Sequence, residues 1–99
     1  MKQIKIKKDK YLKARQDKYK VYEIFCRNCN SYILHYQKDG DGILKRLYLD
    51  RINCLNNFTY EGVCWNCGTL FGSIYIYKKE KRPAIRLFVG AIKKREVDV

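Results

Sequence analysis

Cys26-Arg27-Asn28-Cys29 and Cys64-Trp65-Asn66-Cys67 decide how this chain is read. Each pair has two residues between its cysteines, a spacing that lets a tight turn aim two thiolates at one ion. Asn30 follows the first pair and Gly68 the second. Both residue types tolerate the left-handed backbone that such a turn needs next. Two turns of this kind complete a tetrahedral site. The expectation is one structural Zn²⁺ held by Cys26, Cys29, Cys64 and Cys67, with a rubredoxin-type iron as the main alternative metal. A redox dithiol fits less well, because there are two matched pairs and no βαβ pattern. Cys54 is the odd thiol, read as a small buried residue or as a substitute for one of the four ligands.

Working outward, the flanking segments alternate apolar and polar residues, as strands do. Val21 to Phe25 leads into the first pair and Ser31 to Gln37 leaves it. Lys38 to Gly42 reads as a turn, since Asp-Gly supplies a positive φ. Ile43 to Ile52 reads as the returning strand of a hairpin. That hairpin accounts for the 34 residues, Asn30 to Val63, between the pairs. Phe58 to Val63, Thr69 to Lys78 and Ala84 to Lys93 complete an all-β antiparallel module of about six strands. Its boundary is set at residues 21–99. Residues 1–20 are set apart as a basic N-terminal arm, with a possible edge strand at Ile4 and Ile6.

At 99 residues the chain holds one domain with a modest core, which a metal commonly supplements. Its 46% hydrophobic content separates it from disordered polymers. No apolar run approaches the roughly 20 residues that cross a bilayer. The expectation is a cytoplasmic, reducing setting without membrane contact, where paired cysteines favour metal over disulfide.

The net charge of +12 is unevenly placed: +7 over residues 1–20, zero over 21–77 and +5 over 78–99. Two basic ends on a neutral centre point to a polyanionic partner. Phosphate contacts are expected from Lys5, Lys7, Lys8, Lys10, Lys13, Arg15, Lys18 and Lys20 of the arm. Arg46, Arg51, Lys78, Lys79 and Arg86 are expected to join them from the strands. Tyr48 and Trp65 are candidate stacking groups, as are Tyr32, Tyr36, Tyr75 and Tyr77 if the tyrosines alternate outward. Tyrosines are also ordinary sheet formers, so packing competes with binding in this reading.

No catalytic set is assembled. His35 is the only histidine and lies inside an alternating strand. Asp39-Gly40-Asp41 fails as a calcium loop, because Ile43 and Leu44 stand where a ligand and the invariant glycine belong. The two thiol turns on an all-β body resemble zinc ribbons. The long segment between them also resembles the β-tent group, which includes Yippee-like proteins and the RNA-end-sensing domain of antiviral RNA helicases. The run from Cys26 to Cys29, then Tyr36-Gln37-Lys38-Asp39-Gly40-Asp41-Gly42 with Leu44, Arg46, Tyr48 and Asp50-Arg51-Ile52, then Cys64 to Gly68 and Phe71-Gly72, is similar to a short prokaryotic family of zinc proteins. The resemblance spans about residues 24–92. It implies the four-cysteine ligand set and carries no activity with it. The expected function is a non-catalytic nucleic-acid-binding module, RNA favoured over DNA, possible as part of a larger complex. The alternative is a protein–protein adaptor that docks through a sheet face.

Overall fold

Buried positions along the first long strand alternate with half-buried ones: Tyr22, Ile24 and Cys26 point inward between Glu23 and Phe25. The computed structural model describes residues 6–40, 42–53 and 61–97. Along them run a single helical turn α1 (Lys10–Lys13) and the strands β1 (Tyr19–Cys26), β2 (Tyr32–Asp39) and β3 (Arg46–Tyr48). A 3-10 turn (Leu49–Arg51) follows, then β4 (Ile52–Asn53), β5 (Gly72–Tyr77), β6 (Arg82–Leu87) and β7 (Ile92–Val97). The molecule is all-β, with two antiparallel sheets ordered β4-β2-β1-β7 and β3-β6-β5. Ile24, Leu34 and Tyr36 of the first sheet meet Leu47 and Ile85 of the second, with Phe71 and Cys64 closing the core.

Two expected strands are corrected. Residues 43–52 do not return as one strand beside β2. β3 pairs with β6 in the second sheet, and only β4 pairs with β2. The 3-10 turn breaks the extended backbone, and Arg51 turns inward there. Ile43, at the expected start of that strand, is 78% exposed. Residues 84–93 are likewise two strands, because Gly90 takes φ +71 and turns the chain from one sheet to the other. Val89, at the tip of that turn, is fully exposed. The described strands therefore number seven. Of the expected strand at 58–63, residues 58–60 lie outside the described residues, and Val63 bridges Leu70. Ile4 also lies outside them, and Ile6 is not in a strand.

Residues 6–18 lie on the body rather than apart from it. The Asp9 side chain accepts from the backbone N–H groups of Tyr11 and Leu12, capping α1. Leu12 is buried. The Gln37 amide accepts from the Lys7 N–H (2.8 Å) and donates to the Lys7 carbonyl (2.9 Å).

Candidate metal centre

The two cysteine turns are copies of one another. In the first, the Asn30 N–H donates to the Cys26 carbonyl (2.8 Å) and the Cys26 N–H to the Ser31 carbonyl (2.9 Å). In the second, Gly68 donates to Cys64 (3.0 Å) and Cys64 to Thr69 (2.9 Å). Asn30 and Gly68 take φ +61 and +75, the left-handed positions expected of them. β1 delivers Cys26 from the first sheet. The Val63–Leu70 bridge closes the base of the second turn.

All four Sγ atoms lie within 4.8 Å of one another. Cys26 Sγ is 3.6 Å from Cys67 Sγ, and Cys29 Sγ is 3.7 Å from Cys64 Sγ. A regular tetrahedron with metal–sulfur bonds of about 2.3 Å has edges of about 3.8 Å. The thiols are thus spaced as metal ligands and are too far apart for disulfides. Each close pair joins one turn to the other. Among the described residues, this metal-ligating group contains four cysteines and no carboxylate or histidine. Cys54 lies outside the described residues.

Surroundings differ from thiol to thiol. Cys26 and Cys64 are buried, Cys29 is half-buried and Cys67 is exposed. The Thr69 hydroxyl, hydrogen-bonded with Cys67 Sγ at 3.1 Å, and Asn28 Nδ2, which donates to it at 3.6 Å, hold the Cys67 thiol down to about 5. Ser31 holds Cys29 below the usual thiol range. Burial pushes the Cys64 thiol up to about 11. His35 stands away from this group, its ring against Tyr32, and burial lowers its pKa while the Glu23 charge opposes.

The cationic candidates separate into two kinds. Lys7, Lys8, Lys10, Lys13, Lys18, Lys20, Lys78, Lys79 and Arg86 are exposed, and Lys5 lies outside the described residues. Arg15 is half-buried and pairs with Glu80 at 3.2 Å. Arg51 is a correction. It is 4% exposed, and its guanidinium donates to Asp39 (2.9 Å) and to both Asp9 oxygens (3.0 and 2.6 Å). A buried arginine so fully paired is structural and does not face a phosphate. Burial alone would lower its pKa, but Asp9 and Asp39 raise it. In return, Arg51 holds the Asp9 carboxyl down to about 2.

Sequence reasoning missed Arg82, which is equally buried. It donates to Asp50 (3.1 and 2.6 Å) and Glu80 (2.9 Å). Its guanidinium stacks between the rings of Tyr11 (3.9 Å) and Tyr48 (3.7 Å). The sequence carried no local signal for it, since Arg82 lies in the basic stretch 78–99, outside the neutral centre.

The outward tyrosines are partly corrected too. Tyr36 is buried, and its hydroxyl accepts the Tyr48 N–H (2.8 Å). Tyr75 and Tyr77 are half-buried under Arg46, which lies 4.2 Å above the Tyr77 ring and donates to the Tyr75 hydroxyl (2.7 Å). Ile74 and Ile76 are the exposed residues of β5, at 49% and 56%. Tyr32 and Trp65 are exposed, and the Trp65 indole donates to the Tyr32 carbonyl. None of the described helices is long and apolar enough to cross a membrane. Comparison with family models, curated proteins and solved structures returns no match, so the geometry carries the functional reading.

Proposed function

We propose that this protein is a non-catalytic module, built around one structural zinc ion in the reducing cytoplasm, that binds nucleic acid, RNA ahead of DNA. The metal assignment is supported by four thiols at tetrahedral spacing, a donor set that suits zinc and leaves no open coordination position for chemistry. The likeness to zinc-ribbon and β-tent proteins belongs to the same reading. Metal analysis of the pure chain should find about one zinc per chain; an equivalent of iron would replace it.

The observation that carries the binding reading is how the acids are used. Asp9, Asp39, Asp50 and Glu80 are all engaged by Arg15, Arg51 and Arg82. The lysines of residues 7–20 and of the β5–β6 turn stay at the surface. Net positive charge is thereby displaced outward, where it meets phosphates and releases counterions. Exposed Tyr32 and Trp65 add stacking surfaces that unpaired RNA bases can use. Anisotropy titration of a labelled single-stranded RNA at 50 and 200 mM salt tests this. Four neutralised phosphates give a log–log slope of about −3. Absence of binding to RNA and DNA at 50 mM would refute the reading.

One observation favours the adaptor reading: β5 is an edge strand that exposes Ile74 and Ile76. The variant I74K/I76K separates the two. It spares nucleic-acid binding on the first reading and abolishes partner binding on the second.

A further inference from the structure

Sheet pairing sets two arginines against each other. Arg46 on β3 is the direct cross-strand partner of Arg86 on β6. Like charges in that position repel and weaken a sheet. Four other arginines are matched with acids: Arg15 with Glu80, Arg51 with Asp9 and Asp39, Arg82 with Asp50 and Glu80, Arg95 with Glu23. Among the described residues, no carboxylate forms an ion pair with Arg46 or Arg86.

Aromatic rings hold these two guanidinium groups instead. Arg46 lies over Tyr77 and donates Nε–H to the Tyr75 hydroxyl, while Arg86 sits 5.3 Å from the centre of the Tyr75 ring. Both therefore meet at Tyr75. A ring orients a guanidinium without neutralising it. The Tyr48 hydroxyl also hydrogen-bonds Arg46, and with no described carboxylate on either guanidinium the paired positive charge is left for phosphate oxygens, which its planar fork matches.

We propose that Arg46 and Arg86, with Tyr75 between them, form a phosphate subsite that anchors single-stranded nucleic acid; this rests on the nucleic-acid reading above. The phosphodiester bridges the two forks and relieves their repulsion. Neighbouring bases stack along the guanidinium and tyrosine planes of the same sheet face. Bases in a duplex are already stacked and paired, so the strand has to be single.

The test uses the full zinc-loaded chain and a labelled ten-nucleotide oligouridylate at 100 mM salt. R46Q/R86Q should lose affinity about tenfold or more, with the salt slope reduced by about 0.7 for the one phosphate that the two forks share. The control K93Q/K94Q removes the same charge from β7 and should lose less than about threefold. Equal losses in the two variants, or no loss in R46Q/R86Q, would overturn the subsite while the nucleic-acid reading stands. Competition by poly-glutamate as effective as that by unlabelled oligouridylate would overturn it in favour of an acidic protein partner. Should the wild-type chain bind no oligonucleotide, the broader reading fails by itself. Inorganic pyrophosphate then tests the anion site separately, through the Arg46 and Arg86 Nε–H resonances. Movement of both at millimolar pyrophosphate supports the site, and unchanged resonances remove it.

Discussion

The cysteine centre and the arginine–carboxylate network solve one problem in two ways. Each ties together segments that are far apart in sequence. The cysteines bring residues 26–29 and residues 64–67 together in one group spaced to hold a metal ion. The network joins Asp9, Asp39 and Asp50 to Arg51, and Asp50 and Glu80 to Arg82, by charge alone. The first is local in its grammar, since two short turns each bring two ligands. The second draws six residues from four places: 9, 39, 50–51 and 80–82. A chain this small buries limited apolar area, so both supplement the core. They differ in what they give back. Metal binding is coupled to folding almost one for one, whereas a buried ion pair spends most of its attraction on desolvation.

Breaking the cysteine centre should therefore cost most. Cys64→Ser removes a buried ligand, and structural zinc contributes on the order of 10 kcal/mol or more in small domains. The expected result is loss of dispersed amide resonances and of bound zinc. Retention of both would mean that the site is dispensable. Next comes Asp39→Ala. It leaves the Arg51 side chain, 1% exposed, with only Asp9 and Asp50 as partners. Breaking such a group costs about 3 kcal/mol, read from the urea midpoint. A change under about 1 kcal/mol would assign the anchoring to Asp9 instead.

Acid sharpens the contrast. The Asp9 carboxyl is held at about 2 in the folded chain against 3.8 unfolded. A depressed carboxylate stabilises above its unfolded value and loses that contribution as pH falls from about 4 towards 2. Glu80 is also lowered: burial would raise it, but the bonds from Arg82 and Arg15 prevail. Asp9→Asn should flatten the stability slope over that window relative to wild type. An unchanged slope would show that thiolate protonation alone governs acid unfolding. Smaller still is Asn30→Ala, which forces an alanine to φ +61 at a cost of about 1 kcal/mol. Asn30→Gly should be nearly neutral at the thermal midpoint.

The same contrast explains what could be read in advance. The cysteine turns were legible because ligand geometry demands a fixed spacing and a left-handed residue after each pair. β1, β2 and β5 were legible in outline from alternation. Arg51 was not: its charge reads as a phosphate contact, and the acids that draw it inward lie 12 and 42 residues away. The expected strand ends at the 3-10 turn that carries Arg51, and β3 before it pairs in the other sheet. Tyr75 and Tyr77 show a related effect. Alternation distinguishes two faces, but which face is covered depends on Arg46 arriving from β3. Val89 continued an apolar alternation on paper, and Gly90 beside it was the overlooked punctuation.

The pairing of β1 with β7 bears on how the chain matures during synthesis. A ribosome releases β1 some seventy residues before β7, its neighbour in the first sheet. Until then one edge of β1 is bare, although the second thiol turn has already followed the first out of the ribosome. The nascent chain can thus gather its four cysteines before its first sheet is complete, and that sheet closes only when β7 is delivered.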